Sequence, residues 1–267
     1  MFLGKFIYKL CAILFFIIFK LFFRLKIEGK KNIPTEGPII LVANHSSLLD
    51  PFIITCTTKR IIHWLVASWV FKIWPFPFLA KRIPFLKVEP GKANNKASIK
   101  EALNLLKQGR IIGIFPEGKL SKDEQLNPFL LGAAYLGIKS ASLIVPLYIE
   151  GANQFFHHPF KSLKFPKIRL IIGEGFYLKE VNKDNQEDHL KICTAYIRDK
   201  IAQLKDKEVS KNCLKLYRRP LITEDYKDAE KYRHADGVLL RNIIFGIFLS
   251  IFNRCNLFNN RCNQKAR

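Results

Sequence analysis

The chain has 267 residues, enough for one large α/β domain with appendages. Hydrophobic residues make up 49% of it, and it has 44 Lys and Arg against 22 Asp and Glu. This apolar and basic composition favours an anionic membrane surface as partner. No nucleic-acid partner is expected, because no motif interleaves the basic residues with aromatic ones. The six cysteines form no Cys-x-x-Cys pair, which excludes a zinc site and a disulfide framework and favours a reducing, cytoplasm-facing environment.

The first predicted element is a hydrophobic, membrane-associated helix within residues 1–27. Its longest charge-free run, residues 10–19, is shorter than the roughly 20 residues that cross a bilayer. On a helix its basic residues fall within one sector of roughly 100°, which they share with some apolar residues: Lys5, Lys9, Lys20 and Arg24. We expect this helix to lie in the membrane interface, with a spanning anchor as the alternative.

Residues 39–52 carry the first chemical signal. Five apolar residues, some β-branched, predict a buried strand over 39–43. Asp50-Pro51 predicts a helix start, since Asp is a favoured N-cap and Pro is favoured in the first helical turn. A strand, a turn and a helix place His45 and Asp50 at one end of a sheet, where the carboxylate can fold back onto the imidazole and fix its tautomer. The residues leave a second interpretation open, in which Asp50 only caps a helix and His45 is a loop histidine.

Strands and helices alternate through the rest of the chain to residue 205. Further strands are predicted over 59–67, 110–115, 142–149 and 167–172. Helices are predicted over 51–57, 93–108, 128–138 and 186–205. The alternation predicts an α/β domain over 28–205, with a single sheet flanked by helices. Residues 69–85 hold many aromatic residues and three prolines, which fits a core, an acyl-chain groove or a lipid interface.

Residues 206–267 form a C-terminal extension of different composition. A basic linker runs to Arg219, an acidic patch covers 224–230, and an apolar segment covers 238–252. The apolar segment contains a charge at Arg241, so we expect an interfacial or docking helix there rather than a bilayer span.

Four motifs, in this order, resemble those of the glycerolipid acyltransferase family, which includes the lysophosphatidic acid acyltransferases. The motifs are Asn44-His45 followed by Asp50, Ile-Pro-Phe-Leu-Lys at 83–87, Phe-Pro-Glu-Gly at 115–118, and Ile-Val-Pro-Leu-Tyr-Ile-Glu-Gly at 144–151. The resemblance covers roughly residues 28–175, the whole predicted sheet domain. Any one motif is weak evidence, but their shared order and suitable separations argue against a chance match.

The resemblance implies a membrane-bound O-acyltransferase that esterifies the hydroxyl of a lysophospholipid, with 1-acyl-glycerol-3-phosphate as the expected acceptor and phosphatidic acid as the product. His45 would be the general base and Asp50 its orienting carboxylate. The acyl donor would be acyl-CoA or acyl carrier protein (acyl-ACP), and neither a cofactor nor a metal is expected. The predicted substrate-binding residues are Asn44, Lys87, Glu117, Gly118, Lys119, Ser121 and Pro146.

The chain departs from the family pattern where the acceptor's phosphate is held. Lys87 stands where the family commonly has Arg, and Lys119-Leu120 stands where it commonly has Thr-Arg. Arg grips phosphate with a two-pronged fork, whereas Lys offers a point charge. Either lysine is a candidate to supply the positive charge that Leu120 lacks. The alternatives are another lysophospholipid with a larger head group, or glycerol-3-phosphate, as the acceptor.

Two other classes of protein compete with this interpretation. Leu120 favours a non-catalytic membrane-lipid binding protein of the same fold, whereas the intact His45 and Asp50 oppose it. A hydrolase that uses Ser46 or Ser47 with His45 is disfavoured, because neither serine lies in a Gly-x-Ser-x-Gly elbow. We expect a membrane location with the active site facing the cytoplasm.

Overall fold

A computed structural model describes residues 2–72, 84–89, 95–121, 125–153, 165–179 and 186–205. Most of the aromatic segment predicted over 69–85 lies outside the described residues. So does the whole C-terminal extension, including the apolar segment at 238–252.

The elements follow one another in an α/β order. They are α1 (Phe2–Phe22), β1 (Lys26–Glu28), β2 (Ile39–Ala43), α2 (Asp50–Thr55), β3 (Ile62–Ala67), β4 (Phe85–Val88), α3 (Lys96–Lys107), β5 (Ile111–Ile114), α4 (Gly132–Ser140), β6 (Leu143–Glu150), β7 (Arg169–Ile172) and α5 (Gln186–Lys205). Short 3-10 turns cover Lys30–Asn32 and Ser68–Lys72.

The strands form one seven-stranded mixed sheet in the order β1-β7-β6-β2-β5-β3-β4. All neighbours run parallel except β6 and β7, which are antiparallel. Every residue of central strand β2 is buried, which explains why its sequence is an unbroken apolar run. β2 and β5 are parallel neighbours, with Val42 opposite Ile114, so the loops that follow them leave from the same edge of the sheet.

Helices cover both faces of the sheet. Alternate β2 residues point to opposite layers, with Leu41 in the first and Val42 in the second. The first layer holds apolar side chains of α1, of the residue just after it, and of α2: Phe19, Phe23, Ile53 and Ile54. The second holds those of α3, α4 and α5: Ala102, Leu106, Ala133, Leu136, Ile197 and Ile201. The predicted α/β fold, a single sheet flanked by helices, is confirmed.

Helix α1 has one face in the core and one face in solvent. Tyr8 is 4% exposed, and its hydroxyl accepts a hydrogen bond from the Ile62 amide at the start of β3 at 3.2 Å. The opposite face carries large apolar side chains that are 37–69% exposed: Leu10, Ile13, Leu14, Phe16, Ile17 and Leu21. Within the described part of the chain, no helix is both long enough and apolar enough to cross a bilayer.

Several predicted boundaries need correction. Two strands, β1 and β4, were not predicted, and both lie at the edges of the sheet. The helix predicted over 128–138 is α4, which begins only at Gly132, because the Leu130 amide donates to the Pro116 carbonyl at 2.8 Å. This bond ties the preceding residues to the turn after β5. Helix α5, by contrast, begins and ends at the predicted residues.

Candidate active site

The site lies where β2 and β5 end side by side. His45 follows β2 by two residues, and the turn 115–118 directly follows β5. Carboxyl ends of parallel strands are the usual place for a site on an α/β sheet, because the loops there are free to vary while the strands hold them.

Asp50 binds the turn that contains His45. Its Oδ2 accepts the backbone amides of Ser46 and Ser47, each at 2.8 Å, and lies 3.0 Å from His45 Nδ1. The prediction that Asp50 caps helix α2 is wrong, since the N-cap is Leu49 and no side-chain cap bond is made. The carboxylate folds back onto the imidazole instead.

These contacts fix the tautomer of the neutral ring. Asp50 is fully buried and accepts two backbone N–H groups, as an ionised carboxylate does. An ionised carboxylate only accepts, so His45 Nδ1 must donate and the lone pair must lie on Nε2. Among the described residues Nε2 has no hydrogen-bond partner, and the side chain is 18% exposed. The arrangement presents a basic nitrogen at the surface of the site.

Aromatic rings fix the plane of the imidazole. The ring of His45 stacks on Phe115 at 4.1 Å between centroids and 15° between planes. Phe115 in turn stacks on buried Trp64 at 5.1 Å and 7°. A side chain at Gly113 would bring Cβ within 2.4 Å of the indole, so glycine is required under that ring. Trp64 and the stacking role of Phe115 were missed from the sequence.

Glu117 lies behind His45 and points into the protein. Its side chain is 3% exposed, and Oε1 accepts the His45 backbone amide at 2.8 Å. Oε2 accepts the Asn127 backbone amide at 3.1 Å and side-chain amide at 2.7 Å. Burial raises the pKa of Glu117 above its ordinary value, and the hydrogen bonds from His45 and Asn127 offset part of that rise. Asn127 was also missed from the sequence.

The turn after β5 reaches His45 a second time through Ser121. The Ser121 amide donates to the His45 carbonyl at 2.7 Å, and its hydroxyl lies 2.7 Å from the Gln125 carbonyl and 3.1 Å from Glu117 Oε2. Gly118 has a φ of 65°, which a residue with a side chain rarely adopts, so it lets the chain turn sharply between Glu117 and Ser121.

Two predicted substrate-binding residues occupy structural positions. The Asn44 side-chain amide pairs with the backbone of Ile149 in both directions, at 2.9 and 2.7 Å, and so extends the ladder between β2 and β6. Pro146 lies on the layer opposite to that of α1 and α2, since a Cβ at Gly173 would meet both its ring and Leu204 of α5. The structure does not bring either side chain to the imidazole.

The predicted lysines are at the surface. Lys87 is exposed on edge strand β4, with Nζ 5.2 Å above the ring centroid of Phe71. Lys119 is exposed on the turn after β5, and its neighbour Leu120 is half-buried. Within the described ranges, no three His, Cys, Asp or Glu side chains are grouped so that they could hold a metal ion.

Comparisons with known proteins show that this chain is similar to acyltransferases. The model of the family described as Acyltransferase matches residues 24–150. The 1-acyl-sn-glycerol-3-phosphate acyltransferase of Bacillus subtilis is 28% identical over 207 residues, which are 75% of this chain and 98% of that protein. The protein of that name from Borreliella burgdorferi is 28% identical over 145 residues, 49% of this chain and 52% of that protein. The chain thus spans nearly all of the first relative but only about half of the second.

The fold is similar to that of a solved acyltransferase. The crystal structure of the 1-acyl-sn-glycerophosphate acyltransferase from Thermotoga maritima superposes with a TM-score of 0.58 and 22% identity, over 76% of this chain and 81% of that one. The Acyltransferase family model thus matches the part of the chain that holds the candidate site, residues 24–150. The resemblance inferred from the four motifs is therefore confirmed, as is the assignment to the acyltransferase class of enzymes.

Proposed function

We propose that the protein transfers a fatty acyl group from an acyl thioester, on CoA or acyl carrier protein, to the hydroxyl of a lysophospholipid. The preferred acceptor is 1-acyl-glycerol-3-phosphate, which gives phosphatidic acid. One observation carries the proposal: His45 Nε2 has no hydrogen-bond partner among the described residues, while buried Asp50 holds Nδ1 at 3.0 Å. The names of the relatives in Bacillus and Borreliella support the choice of acceptor.

The chemistry needs a base because a hydroxyl is a poor nucleophile at neutral pH. In the proposed mechanism His45 Nε2 takes the hydroxyl proton as the oxygen attacks the thioester carbonyl. Asp50 stabilises the imidazolium that forms. The tetrahedral intermediate then collapses, the C–S bond breaks, and the imidazolium returns its proton to the leaving thiolate. The products are an ester and a free thiol, so atoms and charges balance without a cofactor.

The acceptor's head group is proposed to be bound by the exposed lysines of the site edge. Lys119 lies on the same turn as Glu117, and Lys87 lies on edge strand β4. Both offer point charges rather than a guanidinium fork, and half-buried Leu120 offers no charge at all. This favours a clamp that tolerates head groups larger than a phosphate monoester.

We also propose that the outer face of α1 rests on an anionic membrane, at the surface that faces the cytoplasm. The exposed apolar side chains form one stripe along the helix, and Lys9 and Lys20 are exposed beside it. Lipid would remove that apolar surface from water, while the basic residues would attract anionic head groups.

The test of the chemistry is turnover by the purified full chain with acyl-CoA and acyl-ACP donors and a panel of lysophospholipids and glycerol-3-phosphate. Loss of a general base lowers rates by about 10²–10⁴-fold, so His45→Ala should lower kcat by that factor. His63→Ala is the matched control, because His63 is near the start of β3, at the other end of the strands. Wild-type turnover by His45→Ala would refute the mechanism. Binding of the wild type to lipid without turnover of any acceptor would support the non-catalytic alternative.

The test of the membrane face is sedimentation with vesicles that contain phosphatidylglycerol. Leu14→Lys removes one exposed apolar side chain, whose burial is worth about 1.5–3 kcal/mol, so binding should weaken by about tenfold or more. Ile192→Lys on α5 is the control, since Ile192 is 67% exposed but lies away from the stripe. Equal binding by both variants would rule out the α1 face as the membrane contact.

A further inference from the structure

We propose that Glu117 and Asn127 are positioning residues, which hold the backbone of His45 in place, and that Glu117 does not bind the acceptor. This inference rests on the proposed role of His45 as the base. It assigns Glu117 a role different from the substrate-binding one predicted from its motif, and it assigns a role to Asn127, which no motif includes.

The turn after β5 holds both polar groups of the His45 backbone. The His45 amide donates to Glu117 Oε1 at 2.8 Å, and the His45 carbonyl accepts the Ser121 amide at 2.7 Å. Asp50 and Phe115 set the direction and the plane of the ring, but neither fixes the Cα from which the ring projects. Glu117 and Ser121 supply that constraint, and a displacement of about 1 Å in a reacting group can cost 10²-fold in rate.

Glu117 has little capacity left for a substrate. It accepts three N–H donors, and the Ser121 hydroxyl is 3.1 Å from Oε2. A carboxylate offers about four lone-pair positions, so these partners nearly saturate it. The side chain is also 3% exposed, which leaves almost no surface for an acceptor to touch.

Asn127 secures the far side of this carboxylate. Its side-chain amide is 2.7 Å from Glu117 Oε2 and 2.7 Å from the Ser121 hydroxyl, so it contacts both residues that bind the His45 backbone. No described hydrogen bond joins Asn127 to His45 itself. We therefore expect its effect on the base to pass mainly through Glu117, which accepts both its backbone and its side-chain amide.

The experiment compares Glu117→Gln and Asn127→Ala in the purified full chain. A glutamine amide would point a donor at either the His45 amide or the Asn127 donors, so it breaks one side of the contact. We expect kcat to fall about 10–100-fold in Glu117→Gln and about tenfold in Asn127→Ala, while the acceptor KM stays within about twofold. A raised KM with an unchanged kcat would mean that Glu117 binds the acceptor, and would overturn the inference.

A double variant tests whether Asn127 acts through Glu117. Glu117→Gln with Asn127→Ala should lose no more activity than Glu117→Gln alone, since both substitutions break the same chain of contacts, from Asn127 through Glu117 to the His45 backbone. Losses that multiply would show independent roles and overturn the proposal for Asn127. Asn32→Ala is the matched control: its amide donates to the Ile172 carbonyl at 2.9 Å beside edge strand β1, so its kcat should stay at the wild-type value.

A readout without turnover separates this inference from the proposed function. In protein labelled with ¹⁵N-histidine, the His45 amide proton should lie downfield, because it donates to a carboxylate, and should move upfield in Glu117→Gln. Circular dichroism shows whether the variant remains folded. If the wild type acylates nothing, the proposed function fails, yet the shift still tests the contact. A His45 amide signal that does not move in folded Glu117→Gln overturns the inference.

Discussion

The turns that follow β2 and β5 each contribute a buried carboxylate to His45, and they use it differently. Asp50 comes five residues after His45 and contacts the ring, whereas Glu117 comes 72 residues later and contacts the backbone amide. The first is a contact within one turn, and the second joins two turns that only the pairing of β2 with β5 brings together. In the proposed mechanism, Asp50 determines which imidazole nitrogen carries the proton, and Glu117 holds the backbone of His45 in position.

The two carboxylates also differ in how fully they are bonded. Both oxygens of Glu117 accept hydrogen bonds. Asp50 concentrates three contacts on Oδ2, and its buried Oδ1 has no hydrogen-bond partner among the described residues. The charge of Asp50 is therefore less fully compensated by hydrogen bonds, which suits its proposed role of stabilising an imidazolium.

The largest expected effect breaks the near contact. Asp50→Asn keeps the shape of the side chain but removes the charge that stabilises protonated His45, and kcat should fall by about 10³–10⁴-fold, as for the orienting carboxylate of a serine protease. Steady-state kinetics of the purified variant measure this. Asp188→Asn is the control, since the Asp188 side chain on α5 is 64% exposed. A smaller loss in Asp50→Asn than in Glu117→Gln would reverse the proposed division of roles.

The smallest expected effect concerns a third carboxylate, that of Glu28, whose side chain is 21% exposed. Arg169 donates to Glu28 at 2.8 and 3.1 Å, and these bonds, with a smaller contribution from Lys26 at 3.1 Å, lower the Glu28 pKa to about 2. Because the folded-state pKa lies below the ordinary value of 4.5, the ion pair stabilises the fold above about pH 4.5 and loses this effect as pH falls towards 2. Solvent screening limits the contribution to about 0.2–1 kcal/mol.

Urea unfolding of Glu28→Gln against the wild type should therefore show a small loss of stability at pH 7 that shrinks towards pH 2, with kcat unchanged. A difference that is independent of pH would show that the loss does not come from the ion pair. The pKa shift of buried Glu117 has the opposite sign to that of Glu28. Its raised pKa means that ionisation costs the folded state stability as pH rises from 4.5 through that raised value.

Sequence reasoning reached the contact between His45 and Asp50 because both lie in one turn, where spacing and local geometry suffice. It reached Glu117 as a site residue but not its contact with the His45 amide, since the direction of its side chain depends on which strands pair. Asn127 left no signal at all, because an Asn before a Pro is typical of an ordinary loop. The order of strands in a sheet cannot be predicted from the local sequence pattern of any one strand.

The two unpredicted strands were missed for a related reason. β1 is three residues long with a charge at each end, and it joins the sheet by pairing with β7, more than a hundred residues later. β4 is four residues long, follows a proline and, among the described strands, pairs with β3 alone. Neither carries the alternation or length from which a strand is predicted. Central strands such as β2 are buried on both faces, so an unbroken run of apolar residues is enough to predict them.

The hydrogen bond from the Ile62 amide to Tyr8 has a practical consequence for anyone who wishes to work with a shortened protein. Helix α1 and the residue that follows it supply Phe19 and Phe23 to the same core as the sheet, and Tyr8 of α1 caps the start of β3. Replacing one such Phe by Ala typically costs about 3–5 kcal/mol, a large part of a domain's stability. Trimming the chain before Leu25 to gain solubility would therefore remove part of the scaffold that holds His45, and α1 has to be treated as part of the catalytic body.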